Sequence, residues 1–411
     1  MRNFRLPQFR GVHSQAPFCL ALSMLLASLG TSIVNIALPT LSLVFDASFH
    51  EVQWVVIVYL ATLTVFVVPA GGLGDRFGRQ RVLVFGLVLF SSASAFCGLA
   101  SNLWLLIAAR AAQGVGAAFM MTLTIALVRE TIATARVGQT MGLLGTMSAI
   151  GTALGPSMGG LLAGWLGWRA IFMVLAPIGV LTAFLVLRAL PDNAPSRGSA
   201  RIDLSAFRDL HVLPYLIANF LVANIMMATL IVGPFYLAFA LGLREAIVGM
   251  VMSIGPAISI CAGVPSGRLV DMKGPRPVLS LGLIVLLSGA ILLAMLPQIA
   301  GLSGYIMAIV VLTPGYQMFQ SANNTLVMAD VPTDRRGAIS GLLGLSRNVG
   351  LVSGASIMGM IFNWGVGSSA IESAAPSAIV SGMRLTFLVG GASIAAALWF
   401  VRKRQGERFA L

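Results

Sequence analysis

The charge in this chain is confined to short stretches between long apolar runs, and that confinement restricts the fold more than any other feature. Only 9% of the 411 residues are charged and 58% are hydrophobic. An ordinary soluble domain carries about 25% charged residues. A soluble fold of the present composition would expose more apolar surface than water tolerates. Runs of about 20 apolar residues cross a bilayer core as helices. Closed barrels, the other spanning solution, need alternating segments of about 10 residues, and the runs here are continuous. The chain is read as an all-α integral membrane protein.

Charged or turn-rich breaks separate twelve apolar segments, at 18–43, 53–73, 82–100, 104–128, 139–163, 169–189, 212–240, 247–268, 277–297, 302–328, 338–362 and 379–401. The first run continues from Phe18 to Val44, beyond the roughly 7–15 residues of a cleavable signal core. The longest connection, 190–211, carries Pro191, Asp192, Asn193, Pro195, Arg197 and Gly198 and reads as an exposed linker. It predicts an N-terminal six-helix bundle over 1–189, a linker over 190–211 and a C-terminal six-helix bundle with a short tail over 212–411. Cys19, Cys97 and Cys261 fall inside apolar runs without metal or redox spacing, and are read as small buried side chains.

Lysine and arginine set the orientation. With an even number of spans both termini share a side, and the segments on that side hold 21 of the 26 basic residues. Arg169, Arg244 and Arg384 fall on the other side. Both termini are therefore expected in the cytoplasm, in an inner or cytoplasmic membrane. The net charge of +13 reads as topology, not as a nucleic-acid footprint, and basic loops suit anionic lipid.

The two halves repeat. Residues 136–145 align with 335–344 at an offset of 199, with six of ten positions identical. At the same offset Gly151, Gly155 and Gly160 meet Gly350, Gly354 and Gly359. Gly71-Gly-Leu-Gly-Asp75 and Gly78 match Gly267-Arg-Leu-Val-Asp271 and Gly274. Parallel repeats of this kind place a binding site between the halves near the bilayer midplane.

These features resemble the major facilitator superfamily over all twelve segments. Gly71-Gly-Leu-Gly-Asp75-Arg-Phe-Gly78-Arg79-Gln-Arg81 resembles the family's loop motif, which implies a latch between conformational states. Arg110-Ala-Ala-Gln113-Gly114 in the fourth segment resembles its second motif, which implies a role in proton transfer or cavity electrostatics. Gly151-Thr-Ala-Leu-Gly155-Pro156-Ser-Met-Gly159-Gly160 resembles the motif shared by its antiporters. Ser32-Ile-Val-Asn35-Ile-Ala-Leu-Pro39, followed by Trp54 and Tyr59, resembles the EmrB/QacA branch of drug:proton antiporters. That branch usually has fourteen spans and an aspartate before this stretch, where this chain has twelve spans and Gly30.

The acidic residues fall in or beside the connections, Asp75, Glu130 and Asp271 among them. The embedded charges are both positive. Arg347 lies about ten residues into its segment, roughly 15 Å deep in a core of about 30 Å, and an arginine there should face a cavity or partner. The expected cavity residues are Asn35, Tyr59, Arg110, Gln113, Asn219, Asn224, Tyr316, Gln317, Gln320, Asn323, Asn324 and Arg347. The expected coupling residues are Gly71, Asp75, Gly78, Arg79, Glu130, Gly151, Gly155, Pro156, Gly159 and Asp271. No phosphate-binding loop is present, and the only lysines are Lys273 and Lys403, so ATP hydrolysis within the chain is excluded.

The expected protein is not an enzyme and carries no cofactor or metal. It is a monomeric secondary transporter acting on a small-molecule substrate, with protons and membrane lipid as further partners and no nucleic acid. The resemblance implies proton-coupled export of small amphipathic compounds by alternating access. The competing reading is an uptake carrier or facilitator for a specific small organic anion.

Overall fold

The computed structural model describes residues 16–131, 134–190, 212–329, 336–368 and 371–407. Nearly all of the expected linker, 191–211, lies outside the described residues, as do Arg2, Arg5 and Arg10. Among the described residues the regular structure is helical, with no strand.

The helices are α1 (Ala16–Phe45), α2 (Phe49–Phe77) and α3 (Arg79–Leu99), then α4 (Leu103–Thr131), α5 (Thr134–Leu166) and α6 (Trp168–Ala189). The second six begin with α7 (Leu213–Ala240) and α8 (Glu245–Lys273). Next comes a continuous stretch, Pro275–Ala329, that parts at Gly301 into α9 (275–300) and α10 (302–329). They end with α11 (336–366) and α12 (Pro376–Glu407). Among the described residues ten stretches are long and apolar enough to span a bilayer, the α9–α10 pair counting as one. With α5 the helices match the twelve apolar segments one for one.

The interruptions have local causes. Pro39 stands at the start of the second part of α1, where its ring and missing N–H disfavour a continuous α-helix. The turn just before it, Ile33–Ala37, tightens to a 3-10 helix. Gly78 between α2 and α3 has φ 95°, and Gly274 between α8 and α9 has φ 83°. Both conformations are open to glycine and costly for other residues, so the repeat seen in the sequence is also a repeat of turn geometry.

Glycine packing repeats as well. A Cβ on Gly116 of α4 would stand 2.8 Å from the Gly86 carbonyl of α3. A Cβ on Gly315 of α10 would stand 3.1 Å from the Gly282 carbonyl of α9. Small residues let these backbones approach within side-chain distance.

Two compact units result. One holds Met1–Thr31, Thr62–Thr152 and Arg169–Ala200; the other holds Ser32–Ala61, Ala153–Trp168 and Arg201–Leu411. The unit boundaries cut across α1, α2 and α5 instead of falling only at the linker. The second unit has a small core where α7, α10 and α11 meet, built from Val212, Leu216, Val327, Ile339, Leu342 and Leu343. Cys19 and Cys97 are buried, but Cys261 is exposed on α8, which corrects the expectation of three buried thiols. Only 22% of the most apolar stretch of α8 is buried, against 72% for α1 and α7, so a residue in an apolar run of α8 has no guarantee of a packed neighbour.

Candidate functional site

The loop motif is assembled in the first unit. Arg79, the first residue of α3, donates to the Asp75 carboxylate of α2 from Nε at 3.0 Å and Nη2 at 2.7 Å. Its Nη1 donates to Glu130 near the end of α4. One guanidinium thus joins three helices, and its planar fork suits two acceptors at once. A Cβ on Gly74 would lie 2.4 Å from Leu123 Cδ2, the end of a side chain that would have to turn aside. At Gly71 the nearest neighbour would be Thr122 Cγ2 at 3.9 Å, an ordinary contact. Asp271, the second-half counterpart of Asp75, is exposed. Asp75→Asn is expected to cost at most about 1 kcal/mol of stability, as for partly exposed ion pairs. A shift of similar size between two conformations would change the transport rate by up to roughly fivefold. Thermal unfolding and initial transport rates on one preparation check both.

Arg110 is fully buried in α4. Its Nη1 donates to the Gly30 carbonyl of α1 at 3.1 Å and to Gln113 Oε1 at 2.5 Å. Gln113 Nε2 donates to Ser94 Oγ of α3 at 2.7 Å, and Ser94 Oγ donates to the Phe90 carbonyl at 2.6 Å. The i, i+3 spacing of Arg110 and Gln113 puts both on one face. The network reaches α1 at the position where the resembled branch carries an aspartate, using the backbone instead of a side chain.

The glycine face of α5 lies against α1. A Cβ on Gly151 would stand 2.5 Å from the Leu25 carbonyl; on Gly155, 1.9 Å from Ser32 Oγ; on Gly159, 2.7 Å from the Ile33 carbonyl. Helix α11 repeats this against α7. A Cβ on Gly350 would stand 2.5 Å from the Phe220 carbonyl, and on Gly354 2.4 Å from the Asn224 carbonyl. Pro156 belongs to the same structure, since its carbonyl would lie 2.7 Å from a Cβ on Gly249 of α8. Gly160 and Gly249 bring the backbones of α5 and α8 together.

A second set of contacts in the second unit comes from the start of α2. Phe49 packs edge-on against Phe235 of α7, with centroids 4.6 Å apart, and against Phe362 of α11 at 5.2 Å. One turn on, the buried Gln53 donates from Nε2 to the Ala355 carbonyl at 3.1 Å. Ala355 sits in a π-helical turn, Gly354–Met358, and a second such turn, Tyr236–Ala240, directly follows Phe235. A π turn displaces carbonyls from the ordinary ladder and is common at functional sites. A Cβ on Gly359 would stand 1.5 Å from Gln53 Nε2. Thr40 donates to Glu245 and Ser42 Oγ donates to Glu372 at 3.4 Å. The end of α1 and the start of α2 are thereby held to α7, α8 and α11.

The remaining expected cavity residues divide. Asn219 Nδ2 donates to the Leu343 carbonyl at 3.0 Å and Asn224 Nδ2 to Ser353 Oγ at 2.6 Å, so both tie α7 to α11. Gln317 Nε2 donates to Ser259 Oγ at 2.8 Å, tying α10 to α8. Tyr59 is buried; Tyr316 and Gln320 are half-buried; Asn324 is exposed. Asn35 and Asn323 are buried, and their amide groups have no hydrogen-bond partner among the described residues. Arg347 is exposed on α11 and makes no hydrogen bond or ion pair among the described residues.

Helices that pack through glycines, turn on glycines and bury one arginine in a polar network form a many-helix assembly whose turn and packing geometry repeats. The sequence profile of the Major Facilitator Superfamily matches residues 20–355, and the chain belongs to that family. It is 26% identical to the uncharacterized transporter YebQ of Escherichia coli, over 93% of this chain and 96% of that one. It is 26% identical to the riboflavin transporter RibZ of Clostridioides difficile, covering 84% and 87%. It is 25% identical to the multidrug efflux pump LfrA of Mycolicibacterium smegmatis, covering 84% and 79%. Among solved structures, the fold resembles a bacterial homologue of the human lysosomal transporter Spinster in an inward-facing, unoccupied conformation. The TM-score is 0.81 at 17% identity, over 95% of this chain and 96% of that one. The D-xylose-proton symporter gives 0.73 at 16% identity, covering 95% and 97%. The chain is a secondary transporter, not an enzyme.

Proposed function

We propose that this transporter exports small amphipathic compounds, neutral or anionic in preference to cationic, in exchange for protons. The observation that carries the substrate preference is the sign of the embedded charge. Arg110 is the one charged side chain buried among the described residues, and Arg347, deep in the α11 sequence, is a second cation. A cation inside a membrane favours a cavity or a compensating group. A lipophilic cation would meet repulsion in such a cavity, and an anion would meet attraction.

The direction of transport is supported by the glycine–proline face of α5 and by relatives named as efflux and resistance proteins, LfrA among them. The contacts of Phe49 and Gln53 support alternating access, because they close one end of α1 and α2 onto α7 and α11 through bonds that can be remade. The cavity is assigned to Asn35, Asn323 and Arg347 of the second unit, and Arg110 and Gln113 form a polar network of their own in the first. The coupling role is assigned to Asp75, Arg79 and Glu130. The repeat supports two six-helix bundles joined through 190–211, and the basic residues support cytoplasmic termini. The chain is taken to act as a monomer.

Uptake of a specific organic anion is the second reading, favoured by the same arginines and by a relative named as a riboflavin transporter. Cells with and without the chain distinguish the two. Export predicts lower accumulation of neutral and anionic amphiphiles when the chain is expressed; uptake predicts higher accumulation of one anion. Arg347→Ala is expected to reduce anion transport by roughly tenfold, the equivalent of about 1.4 kcal/mol for one charge contact. Rapid transport of a quaternary ammonium dye, unchanged in Arg347→Ala, would sink the charge argument.

A further inference from the structure

Near the end of α12 five residues form one stripe. Ala395, Leu398, Trp399, Arg402 and Lys403 recur at i, i+3, i+4, i+7 and i+8, which places them on a single helix face. They line an open groove of about 520 Å³. The groove grades from apolar to cationic along the helix axis. Ala395 and Leu398 lie deeper in the span, and Trp399 is 58% exposed beside them. Arg402 and Lys403 are exposed at the last turns.

Neither Arg402 nor Lys403 makes an ion pair among the described residues. The Lys403 ammonium instead stands over the Trp399 ring, 5.4 Å from its centroid. That contact holds the lysine against the helix surface and fixes its charge at the rim of the groove. The pairing recurs on α6, where the Arg188 guanidinium lies 4.2 Å from the centroid of the exposed Phe184 ring. A cation four residues beyond an exposed aromatic is thus placed at the same end of the sixth helix of each half.

We propose that this groove is a binding site for one anionic phospholipid. Arg402 and Lys403 take the headgroup phosphate, the Trp399 ring stands at headgroup level, and an acyl chain lies along Leu398 and Ala395. The charges match: two exposed cations within one turn suit an anionic headgroup better than a zwitterionic one. The vertical order also matches, since tryptophan and basic side chains favour the membrane–water boundary and apolar ones the hydrocarbon. The proposal rests on α12 spanning the bilayer and is independent of the direction of transport.

Native mass spectrometry of the purified transporter, titrated with phosphatidylglycerol or phosphatidylcholine, tests it. Phosphatidylglycerol is expected to give one adduct that binds at least tenfold tighter than later ones, and phosphatidylcholine none. In Arg402→Gln/Lys403→Gln the affinity of that adduct is expected to fall about twentyfold to thirtyfold, from about 1 kcal/mol for each cation at an anionic surface. Trp399→Ala is expected to weaken it severalfold. Arg384→Gln, which removes one charge near the opposite end of the same helix, is expected to leave it unchanged. Equal binding of the two lipids, or an unchanged tight adduct in the double variant, would overturn the proposal. Loss of the adduct in Arg384→Gln as well would also overturn it, by showing attraction to net charge without a site. Transport measured on the same variants separates failure of the lipid site from failure of the transport reading.

Discussion

Gly155→Leu is expected to abolish transport and to lower stability by about 1–3 kcal/mol, the usual cost of forcing side-chain volume into a packed interface. A Cβ at this position would lie 1.9 Å from Ser32 Oγ, 2.7 Å from Ser32 Cβ and 2.9 Å from the Ile33 backbone nitrogen. The last of these cannot move out of the way by a rotamer change. Separating α5 from α1 would also strain the neighbouring contacts of Gly151 and Gly159, since all three glycines share one stripe. Gly145→Ala supplies a control within α5. Among the described residues no atom beyond its chain neighbours and its own helix backbone lies within 4 Å of a Cβ there, and alanine is favoured over glycine in a helix by about 1 kcal/mol. Thermal unfolding and transport rate, measured on both variants, are expected to move in opposite senses for stability and to show loss of transport only for Gly155→Leu. A fully active Gly155→Leu protein would show that α1 and α5 do not stay in contact through the cycle.

Arg110→Leu has the second large expected effect, and its two consequences separate. Stability carries opposing terms. The substitution removes a buried charge, whose desolvation is costly, but it strands the Gly30 carbonyl and Gln113 Oε1, at about 1–3 kcal/mol for each buried polar group left without a donor. The net change in stability is therefore expected to be modest, while transport is expected to be lost with the network that joins α1, α3 and α4. Arg110→Lys keeps the charge and gives up the planar fork, so it cannot reproduce the bonds to α1 and to Gln113 together. Transport in Arg110→Lys is expected to fall by at least about tenfold, with partial retention where Arg110→Leu retains none. A Gln113→Leu/Arg110→Leu pair measured beside the single variants would expose coupling through the shared network. Additive losses would show that the two residues act separately.

Much of this site was legible in the linear chain because its signals are local. Arg110 and Gln113 lie three residues apart, and helical periodicity alone puts them on one face. Asp75 and Arg79 flank a turn that Gly78 makes, so their pairing follows from their spacing. Gln53 had no such signal. It is one polar residue in an apolar run, and its partner is a carbonyl 302 residues away, in a helix whose π turn the residue pattern does not announce. Gly71 and Gly74 are equivalent in the linear motif, and only packing decides which of them meets Leu123. Asn323 and Asn324 are adjacent amides expected at one cavity, yet packing buries the first and exposes the second. Asn219, Asn224 and Gln317 were candidates for ligand contact, and their described bonds join one helix to another.

Membrane embedding, the number of helices and the internal repeat followed from the order of residues, because hydrophobicity, chain length and glycine spacing act along the chain and need no partner. The confinement of charge that made the membrane assignment also singled out two arginines as exceptions. Packing then treated them differently: Arg110 is buried in a network spanning three helices, and Arg347 is exposed on α11. Which glycine meets which backbone, and which amide ties which helices, depends on approaches of a few ångströms between segments far apart in the chain. Such approaches come into being only when all the helices are packed together.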